Sequence, residues 1–387
     1  MRKTGLTGQP VYILLTLILM FFSVPLIQGQ NKADSLTDQI KNRVFNRLKN
    51  FSFGFYIDAY YNMTLDSKRD TSNIVPFSSN CPAQNQIRLN LAAIEIAYHA
   101  EKVRGTLAIQ YGDAPNLLAA PDAQFIKYLR QANFGFRLVK NLWLDFGYMF
   151  NPVGYESSWP VINDISTVTI GGYYEPGNVL GVKLSYKFSD KFNGGLMLGN
   201  PYSLAYGKNT HMAGMIFLTY SPLQNLSITY NNFFGNQALK NAKINNDILY
   251  NNLIVTYSPI KQIAIVGQLD YAIQTNSQMP PDTNKIASML SGFLQAGYII
   301  NDRLALTARY EFLNDPDGFL SGVYTFNGKT RGLATNGLTL QFEYKPVKIG
   351  YLRIEYRYLN SYQGIKVFHD NTSDHLQSII FTTGVRF

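Results

Sequence analysis

FSFGFYIDAYYNM occupies residues 51–63. Taken at alternate positions, it separates Phe51, Phe53, Phe55, Ile57, Ala59, Tyr61 and Met63 from Ser52, Gly54, Tyr56, Asp58, Tyr60 and Asn62. A period of two places these sets on opposite faces of a strand. The same switching recurs about sixteen times before the chain ends on Phe387, and no strong helical segment follows to cover the apolar side. A sheet repeated in this way needs a second apolar medium. Lipid supplies one.

Length and composition fit that reading. The 387 residues could form two ordinary domains or one large barrel. Mean hydropathy is −0.09, and past the N-terminus no apolar run approaches the roughly 20 residues of a spanning helix. Residues 1–30 differ in kind: Arg2 and Lys3 precede an apolar stretch from Val11 to Ile27 and then Gln28-Gly29-Gln30, which reads as a signal peptide cut near Gly29. Its removal takes the formal charge from +9 to +7, as Arg2 and Lys3 leave. That excess is too diffuse for nucleic acid and suits anionic headgroups or an anion-favouring pore. Cys81 is the single cysteine, so no intrachain disulfide can form. Residues 31–50 form a lead toward the periplasm, with a short amphipathic helix predicted over 34–49 from Leu36, Ile40, Val44 and Leu48. The barrel itself is assigned to 51–387.

Sixteen strands are predicted: 51–63, 86–99, 102–112, 126–138, 141–150, 177–188, 191–199, 211–221, 225–234, 247–257, 262–274, 288–300, 303–313, 337–345, 349–359 and 376–387. Most are near the 9–11 residues with which a tilted strand crosses a bilayer. The second changes phase between Ala92 and Ile94, which predicts a bulge, and Asn251 falls on the lipid side of the tenth. Connections sort by parity. Loops such as 64–85, 151–176 and 314–336 are long, whereas Ser189-Asp190, Ser221-Pro222-Leu223-Gln224, Ser258-Pro259-Ile260-Lys261, Asn301-Asp302 and Lys345-Pro346-Val347-Lys348 are short turns. Short periplasmic turns and long external loops mark bacterial outer-membrane barrels. Tyr98, Tyr186, Tyr220, Tyr257, Tyr298, Tyr344 and Phe387 fall near the inner ends, and Tyr61, Tyr111, Tyr148, Phe234, Tyr271, Phe312 and Tyr358 near the outer ends. These are two interfacial girdles.

Several stretches then carry a resemblance. NLWLDFGYMFNPVGY over 141–155 with Glu156-Ser157, Tyr310-Glu311-Phe312 with Asp315-Pro316-Asp317-Gly318, and Arg353-Ile354-Glu355-Tyr356-Arg357 are similar to segments of the OmpL-like β-barrel porins of bacterial outer membranes. Thr383-Gly384-Val385-Arg386-Phe387 resembles the closing strand that such barrels present to the insertion machinery. The likeness covers most of 51–387 and implies a porin of no settled substrate.

The inward face is where solute chemistry would lie. Alternation aims Arg88, Arg104, Arg137, Asp145, Asp270, Arg309, Glu311, Glu343, Arg353, Glu355 and Arg357 into the lumen, since a midplane Arg or Lys facing lipid costs roughly 2–4 kcal/mol. Such charges either select solutes or pair across strands and hold a hydrated wall together. The long, partly apolar loop 151–176, with Tyr155, Glu156, Trp159 and Asp164, is expected to fold inward and narrow the pore; a cap on the rim, or extra strand over 166–173, is the other reading. Asp315, Asp317, Asp370 and Asp374 with His369 and His375 match no EF-hand loop, so no metal or other cofactor is expected. No nucleotide or zinc motif is present, and none of the four histidines falls mid-strand to orient a nucleophile, so no enzymatic activity is expected. The sequence therefore predicts an all-β, antiparallel, up-and-down transmembrane barrel passing small hydrophilic solutes, with a mild anion preference. A non-conducting adhesin or structural barrel is the alternative, and the oligomeric state is left open.

Overall fold

The computed structural model describes residues 48–67, 71–118, 126–200, 211–238, 242–279, 285–362 and 364–387. The predicted signal peptide and nearly all of the predicted 34–49 helix lie outside these. Phe51–Phe387 is one compact unit.

Its strands are β1 (Phe51–Thr64), β2 (Ile87–His99), β3 (Val103–Tyr111), β4 (Leu129–Val139), β5 (Leu142–Met149), β6 (Val179–Lys187), β7 (Phe192–Gly199), β8 (Ala213–Leu223) and β9 (Leu226–Asn236). They continue with β10 (Asp247–Ile260), β11 (Ile263–Gln274), β12 (Ala287–Asn301), β13 (Leu304–Asn314), β14 (Tyr324–Phe326), β15 (Lys329–Arg331), β16 (Ala334–Val347), β17 (Gly350–Ser361) and β18 (His375–Arg386). β14 and β15 form a separate hairpin inside the loop between β13 and β16; the other strands close one antiparallel barrel of sixteen, each paired with its neighbours in sequence. The loops also hold short helices α1 (Asp113–Leu118) and α2 (Ile170–Tyr173). The second replaces the extra strand considered over 166–173.

Closure explains how such a chain tolerates lipid. A barrel has no edge, so backbone groups along the wall are bonded between strands. The seam pairs β1 with β18 from Tyr56–Arg386 to Thr64–Ser378. Phe387 extends it: its N–H donates to the Phe55 carbonyl at 3.0 Å, the Phe55 N–H donates back at 2.7 Å, and the two rings stack at 5.8 Å. Outward positions form an apolar band. Phe53, Leu107, Phe134, Leu196, Leu294 and Tyr310 are each more than half exposed, a pattern that in water would be an aggregation surface. Asn251 does face outward, and its carboxamide is bonded there: Tyr230 Oη donates to its Oδ1 at 2.7 Å and Asn232 Nδ2 at 2.9 Å.

Three local details depart from the prediction. The bulge in β2 lies at Asn90 rather than beyond Ala92, because Asp58 pairs with Leu91 and Ala59 with Leu89, leaving both Asn90 and Leu91 buried inside. Pro222, Pro259 and Pro346 do not sit in four-residue turns. The strands run on to Leu223, Ile260 and Val347 through register irregularities, which accommodate a residue lacking an N–H donor. The third is a second bulge, at Arg130 of β4: Ala108 pairs with Gln131 and Ile109 with Leu129.

Candidate functional site

The interior is divided by the loop 151–176, which leaves the end of β5 and crosses the barrel. Gly154 N–H donates to Asn252 Oδ1 at 3.2 Å and Tyr155 N–H to Gln268 Oε1 at 2.8 Å, so the loop meets β10 and β11 first. Gly154 has φ +92°, and a side chain there would collide with the Glu175 carboxylate. Glu156 then reaches β13. Its Oε1 accepts from Arg309 Nη1 at 2.7 Å, while its Oε2 accepts from Thr169 N–H and Oγ1 at 2.8 and 2.6 Å, tying the two limbs of the loop together. Trp159 turns to the opposite wall and packs in a buried cluster with Tyr56, Leu91, Ala93 and Tyr351. Arg353 pulls the chain back toward β17, donating to the carbonyls of Pro160 at 2.9 Å and Asn163 at 2.7 Å. Asp164 accepts from Gln295 at 3.1 Å.

The return limb is held most tightly. Gln341 Oε1 accepts from Ser166 N–H at 2.8 Å, Glu355 Oε2 accepts from the N–H groups of Ser166 and Thr167 at 3.0 and 3.1 Å, and Glu311 Oε2 accepts from Ile170 N–H at 2.6 Å, at the start of α2. Carboxylates accepting backbone N–H groups make strong, charge-assisted bonds. Glu311 also accepts from Arg357 at 2.9 Å, and Glu343 from Arg353 at 2.7 Å. Arg309 is fully buried between Glu156 and Glu311.

The predicted charges therefore fall into two groups. Arg309, Glu311, Glu343, Arg353, Glu355 and Arg357 point inward but lie beneath the loop, each less than a tenth exposed, and most of their donors and acceptors bond the loop or one another. Asp270 is likewise buried, accepting from Asn252, Gln268 and Ser291. Arg104, Arg137 and Asp145 sit on the facing wall of β3–β5, where Arg104 grips Asp145 through two bonds and lies 4.3 Å from the Trp143 ring centroid. Arg137 lies over the same ring, 5.2 Å from its centroid. Arg88 is at the outer rim, bonded twice to Asp113 at 2.6 Å. Among the described residues no group of His, Cys, Asp and Glu is arranged to hold a metal ion.

Two features escape the alternation argument. Arg130 faces inward because of the β4 bulge, and its guanidinium lies 3.9 Å from the centroid of Trp159. The inner wall is also partly apolar: Met149, Met197, Met215 and Met289 cluster with Val179, Phe233 and Tyr250, and Phe319 and Leu320 of the loop after β13 pack on them. Between the loop and the β2–β5 wall remains a cavity of about 850 Å³ lined by Leu91, Gln110, Arg130, Tyr148, Tyr155 and Glu156 among others.

Residues 50–387 match the family described as "Putative beta-barrel porin-2, OmpL-like". The chain belongs to this porin family. No curated protein matches it in sequence. Solved structures match the porin by fold over 87% of the chain. Among them are the outer membrane channel DcaP of Acinetobacter baumannii (TM-score 0.57, 14% identity, 97% of that chain) and the anion-selective porin from Comamonas acidovorans (0.56, 9%, 99%). The OmpF of Salmonella typhi in complex with daunomycin is another (0.59, 11%, 97%). At these identities the likeness establishes the fold, a sixteen-stranded outer-membrane barrel. The porin's home is accordingly the bacterial outer membrane.

Proposed function

We propose that this porin is a passive channel for small hydrophilic solutes, with a mild anion preference, whose narrowest part is set by the 151–176 loop. The observation that carries the reading is the continuous bonding of that loop across the interior, from Asn252 to Glu355, with a cavity left on the opposite side. In this reading Arg309, Glu311, Glu343, Arg353, Glu355, Arg357 and Asp270 anchor the constriction, Tyr155, Glu156, Trp159 and Asp164 form it, and Arg104, Arg137 and Asp145 line the path beside it, with Arg88 at its mouth. The mechanism is diffusion biased by the field of wall charges. The basic excess of the chain, 34 Lys and Arg against 25 Asp and Glu, supports the anion preference.

Single-channel recording of the refolded protein tests both claims. Stepwise conductance in KCl is expected, with a reversal potential in a salt gradient that favours chloride. Absence of conductance would refute the channel, and a cation-favouring potential the anion preference.

A further inference from the structure

We infer that the cavity beside the constriction is a binding subsite for small organic carboxylates carrying a flat apolar body, with Arg130 as the anion-recognising residue. The observation is a buried guanidinium that has no carboxylate at ion-pair distance among the described residues, although Glu95 of β2 acts on it through space. Arg130 is only 3% exposed and lies at the β4 bulge, which turns its side chain into the barrel. Its Nη1 donates to Gln110 Oε1 and its Nη2 to Ser158 Oγ, both at 2.9 Å and both neutral acceptors, while its Nε is buried without a partner among the described residues. Two of five N–H donors are thus spent on these side chains. Burying a charge without a contact ion pair is costly, and a bound anion would offset part of that cost. Trp159 at 3.9 Å and Phe150 at 5.2 Å hold the guanidinium plane, and Arg386 lies 5.3 Å from the same indole. Arg386 adds positive charge beside Arg130, and Glu95 sets negative charge against it from beyond ion-pair distance. Two acids share the cavity, but Glu156 is engaged by Arg309 and Glu175 by Gln268 Nε2 at 2.6 Å.

The rest of the lining selects the class of anion. Phe150, Val153, Tyr155, Tyr174, Phe319 and Leu320 surround the cavity, and the last two also cover the methionine-rich wall. An inorganic anion would leave these surfaces wet, whereas a carboxylate with a ring or short hydrocarbon body satisfies the guanidinium and buries apolar area together. Methionine adapts to bodies of different outline. The two tryptophans of the chain repeat the motif, since Trp143 lies within cation–π reach of Arg104 and Arg137 as Trp159 does of Arg130 and Arg386. An acid leaving the first pair therefore meets a second. Translocation rests on the channel reading above; binding stands without it.

The test is calorimetric titration of the full-length protein, refolded in detergent, with benzoate, acetate and inorganic phosphate, alongside benzoate block of the KCl current. Benzoate should bind at least about 5-fold more tightly than acetate or phosphate. Arg130→Gln should weaken benzoate at least about 10-fold, with Arg130→Lys intermediate and both variants keeping heat-modifiable gel mobility. Equal benzoate affinity in wild type and Arg130→Gln, or no binding to wild type, overturns the subsite. Binding without any KCl current upholds the subsite and refutes the channel; current without binding does the reverse. Tighter phosphate than benzoate would refute the organic body.

Discussion

At the scale of single residues, the loop's acids matter because they are buried where charge is disfavoured. Burial pushes the Glu175 carboxyl well above the ordinary carboxylate range, and the nearby Asp270 adds to the effect. Burial also raises Glu156 and Asp164, against the pull of Arg309 and Arg353 respectively. A carboxyl that holds its proton more tightly in the seated loop than in a free one favours seating below its ordinary range. That preference is lost as pH rises through the seated value. Each tenfold difference in proton affinity is worth about 1.4 kcal/mol. Acidification from pH 7 toward the ordinary glutamate value of 4.5 should therefore quiet the fluctuations of the open current. Glu175→Gln, which keeps a hydrogen-bonding partner for Gln268, should flatten that dependence. Current noise that grows on acidification, or an unchanged slope in Glu175→Gln, would contradict this account.

At the scale of elements, the question is what the loop 151–176 does once seated. Its bonds to β10, β11, β13, β16 and β17 are many, and several are to carboxylates or guanidiniums buried with it. Removing residues 156–170 should open the lumen and raise single-channel conductance about two-fold or more, a lumen-scale effect of pore radius. It would also leave Arg309 and Arg353 without loop partners, so the thermal transition should fall, since breaking one side of a buried pair costs roughly 3–5 kcal/mol. Unchanged conductance in a folded deletion variant would place the narrowest point elsewhere. Alternation foretold the strands and the inward arginines, because a period of two survives any error in strand ends. It could not foretell Arg130. One extra residue between Leu129 and Gln131 reverses the face, and no composition cue distinguishes that arginine from a rim residue. Nor could it show which inward charges would lie open to the lumen, because that depends on where the loop comes to rest. The methionine-rich wall was hidden for another reason. Met149, Met197, Met215 and Met289 stand at inward positions near strand ends, where an apolar residue reads equally well as part of a girdle.

At the scale of the whole molecule, the fold depends on a seam that the two ends of the barrel must find across more than 300 residues of chain. Non-local pairing of this kind is slow, because loop closure precedes the contacts that repay it. β1 and β18 meet over nine paired positions, and Phe387 adds two backbone hydrogen bonds and a ring stack on Phe55 beyond them. Deleting Phe387 removes two bonds worth about 0.5–1.5 kcal/mol each, a small loss for a barrel held by fifteen other strand pairings. Refolded in detergent, the truncated protein should still migrate differently before and after boiling, with a slightly lower melting temperature. In cells the outcome should differ if Phe387 also serves as the closing residue read by the insertion machinery: the heat-modifiable form should fall several-fold in the outer-membrane fraction. Loss of the folded form in both settings would make Phe387 a determinant of the seam itself. Equal yield in both would leave the terminal residue no role in delivery, and the alternation that ends on it would then reflect lipid contact alone.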